Sequence, residues 1–319
     1  MTQISVHNEW SCLEEVVLGI APELYFPARH PIELEPVHPW WRRASAAMLS
    51  TLAKGRRVPA WITQKYVAEL ESLRKILLEH GCTVHRPVPI TPLAEEPPGL
   101  GQMFARDPIM AVGDTLIVGQ LQIGMRRKER RGLDALLSAL TGNHTRVVAV
   151  SSDDIFLEGG DVIVDLPYLY VGVGKYGSNL KGVEWLQRQL GAAVTVVPVP
   201  LAVSGILHLD CCLTLIGPRL GILHRESLAN PLPPPLDTYE FIEVDARTRQ
   251  ELGTNVLALD ARTIIVQSRH VHLQQSLRER GFRVLPLNFS WHARLDGAFR
   301  CATAPIRRSG VSGRTRLCR

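Results

Sequence analysis

A chain of 319 residues, 45% of them hydrophobic, is long enough to bury a large core, and a formal charge of +5 is too small for that length to mark a nucleic-acid-binding surface. Met1 to Asn8 lacks a basic stretch followed by an apolar run, and nowhere do about eighteen apolar residues follow one another, which predicts a cytoplasmic chain with neither a secretory signal nor a membrane span. Six cysteines, at 12, 82, 211, 212, 301 and 318, show no C-x-x-C spacing, so neither a zinc ribbon nor a disulfide scaffold is expected.

Taken in order, Cys12 to Gly19 reads as a buried first strand. Residues 22–58 are irregular and rich in proline and aromatics, including His38-Pro39-Trp40-Trp41. A segment that long predicts either a lid over a site or a surface excursion whose tryptophans cap the core. From Ile62 to Glu79 the apolar residues Tyr66, Leu70, Leu73, Ile76 and Leu77 recur at three and four, marking an amphipathic helix that Gly81 stops. Cys82 to Val88 is the next strand, and a proline-rich link runs on to Gly101.

From Pro108 onward one pattern recurs. Strands Pro108–Val112 and Thr115–Val118 pair about Gly113-Asp114, then come a helix over about 127–140 and a strand Thr145–Val150. The charged run Arg126 to Arg131 reads as a solvated face of that helix. Strands Gly160–Asp165 and Tyr168–Val173 pair about Leu166-Pro167, followed by a helix over about 180–190 and a strand Val194–Val199. Cys211–Ile216 and Leu220–Leu223 pair about Gly217-Pro218-Arg219, and a proline-rich run from Asn230 to Leu236 replaces the expected helix. Val256–Leu259 and Thr263–Val266 pair about Asp260-Ala261-Arg262, before a helix over about 269–280 and a strand Arg283–Leu287.

The turns at 113, 166, 218 and 261 fall roughly fifty apart, a repeat period whose unit is strand, strand, helix, strand. With the N-terminal segment as a degenerate member, five units predict a ring of small mixed sheets forming one α/β domain over residues 1–319, helices outside and polar loops at the centre. A doubly wound sheet would alternate single strands with helices, and no G-x-G-x-x-G follows a strand here.

Within that ring Asp107, Glu158 and the triplet His208-Leu209-Asp210 precede the strand pairs of successive units, and Cys301 follows the last strand of the final unit. Singly, each has a structural reading: a buried thiol, a satisfied histidine, turn and strand-entry acids. Together, a thiol, a proton carrier and three carboxylates suit attack on a planar cation such as a guanidinium. Asp161 is read instead as a backbone-bonding residue of its turn.

At these residues the chain resembles the guanidino-group-modifying enzymes, the superfamily of arginine deiminases, dimethylargininases and amidinotransferases. The resemblance rests on His7-Asn8-Glu9-Trp10, Phe104 to Pro108, Leu157 to Asp161, His208 to Asp210, Thr254-Asn255-Val256-Leu257 and Cys301-Ala302-Thr303. It implies a five-bladed α/β propeller, the pentein fold, in agreement with the repeat. It also implies Cys301 as nucleophile, His208 as general acid and base, Glu158 as its acidic partner, and Asp107 and Asp210 as carboxylates clamping the guanidinium. No metal or organic cofactor is expected, because the covalent thioether route requires none. The expected partner is a small guanidino substrate, whose tail Lys175 or Arg225 would hold if it carries a carboxylate.

Relatives usually carry a glycine run before the cysteine, where this chain has Asp296-Gly297-Ala298-Phe299-Arg300. Asp296 and Ala298 forgo glycine's backbone freedom, and Arg300 adds a charge that would either act on the thiol or bind substrate. For the acceptor, Glu158-Gly159-Gly160-Asp161, the run Leu207 to Leu223 with Gly217-Pro218 and the short span from Asp107 to Glu158 resemble the hydrolases. The His7 to Trp10 opening, Gly182-Val183-Glu184-Trp185-Leu186 and the run from Cys301 to Gly310 resemble the transferases. Hydrolysis is the expectation, with amidino transfer to an amine and a non-catalytic binding ring as alternatives.

Overall fold

The structure, a computed structural model, describes residues 3–28, 48, 52–140, 145–203 and 205–309. Residues 29–47 and 49–51, His38 to Trp41 among them, lie outside the described residues, and with them most of the expected lid; so do Gly310 and Cys318.

Five three-stranded sheets share one pattern: a first strand antiparallel to a second, and a third parallel to that second. They are β3 (Ile109–Val112), β4 (Thr115–Val118) and β5 (Arg146–Ala149); β6 (Val162–Asp165), β7 (Tyr168–Val173) and β8 (Thr195–Pro200); β9 (Leu213–Gly217), β10 (Leu220–Leu223) and β11 (Glu240–Glu243); β12 (Leu257–Ala258), β13 (Thr263–Gln267) and β14 (Arg283–Leu287). The fifth joins the two ends of the chain, with β15 (Thr303–Arg308) pairing β1 (Leu13–Leu18), which pairs β2 (Thr83–His85).

The middle strand is hydrogen-bonded on both edges and packed on both faces, which is why it reads as an unbroken apolar run such as Leu116-Ile117-Val118 or Ile264-Ile265-Val266. Gly113, at φ +57°, permits the tight turn between β3 and β4. Helices lead from second to third strands: Leu180–Leu190, capped by the Asn179 side chain on the Gly182 N–H, and Val271–Glu279. The helix Ala60–Glu79 buries Tyr66, Leu70, Leu73 and Leu77 in the larger of two apolar clusters.

Three elements differ from the sequence reading. The helix expected over 127–140 is a 3-10 helix, Gly124–Leu133, continued by an α-helix, Asp134–Leu140. Its charged run is solvated only in part: Arg127, Arg130 and Arg131 are exposed, but Arg126, Lys128 and Glu129 are buried. The 3-10 period of three brings Arg126 and Glu129 to one side, where they neutralise each other. In the third unit the proline run leads into β11, a short strand whose Glu240 and Glu243 are exposed and which carries too little apolar pattern to read as a strand. At the C-terminal end β15 supplies the first strand of the sheet that begins with the N-terminal segment.

The pattern sets one position in every unit. The turn just before each first strand carries Asp107 before β3, Glu158 and Asp161 before β6, His208 and Asp210 before β9, Asn255 before β12, and Cys301 before β15.

Candidate active site

All five turns meet at buried side chains. Glu158 and His208 occupy equivalent places, each in extended backbone at the head of a one-turn 3-10 helix, Gly159–Asp161 and Leu209–Cys211. Asp161 links these turns, since its carboxylate accepts from Ser178 N at 2.6 Å and Leu209 N at 2.9 Å; this is the backbone-bonding part expected of it. Gly160 is required by space. A Cβ there would stand 2.5 Å from His208 Nδ1 and 2.8 Å from Asp107 Oδ1.

His208 Nε2 lies 2.9 Å from Glu158 Oε2, and the other oxygen of Glu158 accepts from Gln122 N at 2.8 Å. On the opposite edge of the imidazole, Nδ1 is 3.6 Å from Asp107 Oδ1, too far for a hydrogen bond, and neither atom has another partner. Burial alone would push the His208 pKa down, but Asp107, Asp161 and Glu158 together hold it well above the usual imidazole range. The three carboxylates thus favour the protonated ring, and Nδ1, which has no hydrogen-bond partner, is the position from which a proton could be given up.

Asp107, Glu158 and His208 bring one ligand atom each within 4.8 Å of one another, a spacing a cation could fill.

Cys301 is buried in the short helix Phe299–Ala302, its Sγ 3.6 Å from both oxygens of Asp210. Burial pushes the Asp210 carboxyl up, against the pull of Arg300 and His208. Asn255 braces Cys301: its Oδ1 accepts from Arg300 N at 2.9 Å and Cys301 N at 3.4 Å, and its Nδ2 donates to Asp210 O at 3.1 Å and to Cys301 Sγ at 3.2 Å. The neighbouring Cys211 thiol is held well above its ordinary range by its hydrogen bond to Cys301 and by burial, and so stays protonated.

Two arginines reach this centre paired to carboxylates, and a third, Arg106, is buried behind Asp210 and Cys301 with its Nε donating to the Arg300 carbonyl at 2.9 Å. Arg126 donates to Asp107 Oδ2 at 2.7 Å and to both oxygens of Glu129 at 3.1 and 2.9 Å, which leaves Asp107 a single open oxygen. Arg300 donates to both oxygens of Glu9, at 2.5 and 3.3 Å, and its Nε stands 3.7 Å from Asp210 Oδ2. Arg300, Arg106 and Arg308 outweigh the cost of burial on Glu9 and hold its pKa at about 2, so the pair is ionic throughout the physiological range. Arg300 is thus a buried brace for the opening His7 to Trp10 motif.

The other two expected site residues stand apart from this cluster. Lys175 is exposed beside the Tyr176 ring, although its carbonyl accepts from Gln122, the residue that also supports Glu158. Arg225 is paired on the surface with Glu243 at 2.8 Å. Sequence reasoning assigned no part to Asn255, Arg126, Glu129 or Gln122. The repeat held the signal for Asn255, a polar residue in the fourth unit at the place where its neighbours carry acids, histidine and cysteine. Arg126 and Gln122 gave no comparable signal.

Comparison with known proteins places this geometry. A family model described as N,N dimethylarginine dimethylhydrolase, eukaryotic, matches residues 53–308. The putative inosamine-phosphate amidinotransferase 2 of Streptomyces griseus is 28% identical over 98% of both chains, and the uncharacterized protein YkgA of Bacillus subtilis is 29% identical over 64% of this chain and 69% of its own. Among solved structures, inosamine-phosphate amidinotransferase StrB1 from S. griseus superposes with a TM-score of 0.82 at 24% identity over 97% of both chains. The N-terminal domain of ArgZ, a cyanobacterial arginine dihydrolase, gives 0.71 at 16% identity, covering 92% of this chain and 97% of its own. These two share the fold. The chain is an enzyme of the guanidino-group-modifying superfamily and belongs to its N,N-dimethylarginine dimethylhydrolase family.

Proposed function

We propose that the protein hydrolyses the guanidino group of arginine or an arginine derivative through a covalent amidino-thioether on Cys301, within a single domain whose five sheets close as a five-bladed propeller. The joining of both chain ends in one sheet supports that closure. The observation that carries the chemistry is that the Cys301 sulfur meets both Asp210 oxygens, that the partnerless Nδ1 of His208 and one oxygen of Asp107 face each other at 3.6 Å, and that Asp210 feels the charges of both His208 and Asp107.

Guanidinium carbon is a poor electrophile because its charge spreads over three nitrogens. Asp210 and Asp107 would hold the plane and keep it cationic, while the Cys301 sulfur, as the thiolate, forms a bond to carbon. His208 gives its Nδ1 proton to the departing nitrogen and the C–N bond breaks, leaving the amidino group on sulfur. Neutral His208, steadied by Glu158, then takes a proton from the incoming water, a C–O bond forms, and the C–S bond breaks to release a ureido product.

The family model supports water as the acceptor. Amidino transfer to an amine is favoured instead by the full-length likeness to amidinotransferases. Incubation with arginine and methylated arginines, with and without glycine as acceptor, separates them. Ureido product without glycine is expected, and a guanidinylated acceptor would replace hydrolysis by transfer. Cys301→Ser should abolish both. Neither product, and no iodoacetamide-sensitive adduct, would leave a non-catalytic binding ring.

A further inference from the structure

Asn255 is fully buried and its amide orientation is dictated by its neighbours. Two backbone N–H groups, of Arg300 and Cys301, point at one end of the amide, so that end must be the oxygen; the nitrogen then faces the Asp210 carbonyl and the Cys301 sulfur. All four hydrogen-bonding positions are used. A smaller side chain would hold the loop less well, but only an N–H donor can serve the sulfur.

That donor acts differently in the two halves of the reaction. When sulfur attacks, its negative charge passes into the new C–S bond and the hydrogen bond weakens as the barrier is climbed. When the thioether breaks, the electron pair of the C–S bond returns to sulfur and the hydrogen bond strengthens on the way to the transition state. A fixed donor 3.2 Å from the sulfur therefore helps the leaving step and slightly restrains the attacking one.

We propose that Asn255 is a catalytic residue of the second half-reaction, its side-chain N–H carrying the Cys301 sulfur as the amidino group is passed to the acceptor. The inference rests on the covalent reading above and deepens it, and it holds for either acceptor, because the C–S bond breaks in both. The oxygen or nitrogen of the acceptor bonds to the amidino carbon, its proton goes to His208, and sulfur leaves as a thiolate received by Asn255 Nδ2.

The test compares wild type with Asn255→Ala and with Asn255→Asp, which keeps the accepting oxygen for the 300 and 301 N–H groups but turns a carboxylate oxygen, with its charge, toward Asp210 O and the sulfur in place of the donor. Each protein is mixed with arginine or N,N-dimethylarginine, quenched in acid at intervals and weighed intact by mass spectrometry, alongside steady-state kinetics. Removing the donor should slow breakdown by roughly 10- to 100-fold. The variants should accumulate the amidino adduct on Cys301, with kcat and KM falling together and kcat/KM within about threefold of wild type. A merely structural role predicts the reverse, a fall in kcat/KM with no adduct accumulating, and that result in a folded variant overturns the proposal. Absence of any adduct in wild type, with turnover surviving in Cys301→Ser, would sink the covalent reading itself.

Discussion

Asp161 gives the most direct test of how the site is tied together, because it bonds the turn bearing Glu158 to the turn bearing His208. Burial pushes its carboxyl from 3.8 up to about 7, against the pull of the His208 charge and its bonds to Ser178. The folded value lies above the unfolded one, so folding takes up a proton. The stability this provides is fully present below about pH 4 and is lost as the pH rises through about 7. A gap of roughly three pH units at about 1.4 kcal/mol each puts the loss near 4 kcal/mol. His208, also raised, acts with the same sign: its contribution is present below its unfolded value near 6.5 and lost at higher pH. Asp161→Asn removes the first ionisation and keeps one acceptor, but it turns an amide N–H toward a backbone N–H at a cost of about 1–3 kcal/mol. Urea unfolding followed by tryptophan fluorescence from pH 4 to pH 8 should find the wild type more stable at pH 4, and the two stabilities converging and then crossing by pH 8. Parallel curves would refute the assignment of the proton to Asp161.

Three further outcomes are expected from the geometry. Gly160→Ala sits where the backbone accepts alanine but its Cβ would press on His208 Nδ1 and Asp107 Oδ1, so kcat/KM should fall by about 100-fold or more, with overpacking costing about 1–3 kcal/mol in chemical denaturation. Arg126→Leu strands Asp107 and Glu129 as buried charges and should cost about 3–5 kcal/mol in chemical denaturation, with Arg126→Lys intermediate. Asp296 stands at φ +59° in the left-handed region, so Asp296→Ala should be about 1 kcal/mol less stable than Asp296→Gly by the same measurement, and equal stabilities would show that the backbone there carries no strain.

The repeat was legible because its signal is local: a short apolar run, a turn, a second run, then helical spacing. Where the physics is local the boundaries agree closely, as at Tyr168–Val173, Leu180–Leu190 and Arg283–Leu287. It failed where partners are distant. The residues of β15 become a strand by pairing with β1 at the far end of the chain. The charged run after Gly124 looked solvated because Arg126 owes its burial to Glu129 beside it and to Asp107 in another unit, and only the fold brings the second acid near. The missing glycine before Gly297 has a similar answer. Asp296 adopts the left-handed conformation itself, while Gly297 stays because a Cβ there would lie 2.3 Å from the Phe104 ring.

The pairing of the arginines bears on which ligand the site admits. If the site receives a guanidinium, as proposed, it must not be filled by the protein's own, and Arg126 and Arg300 already approach its acids. Glu129 and Glu9 resolve this by taking the forks of Arg126 and Arg300 in bidentate fashion. What reaches the site from Arg126 is one N–H on the outer oxygen of Asp107, and from Arg300 an Nε at 3.7 Å from Asp210. The inner oxygen of Asp107 and the face of Asp210 toward sulfur are left for a planar cation. Cutting the tie at Glu129, by Glu129→Gln, should free Arg126 to swing onto Asp107 with both nitrogens and compete with substrate. The expected sign is a rise in KM of about tenfold with kcat little changed, because binding is lost equally in the ground and transition states. A fall in kcat at constant KM would mean that Glu129 acts on the chemical step and that this account of the arginine pairs is wrong.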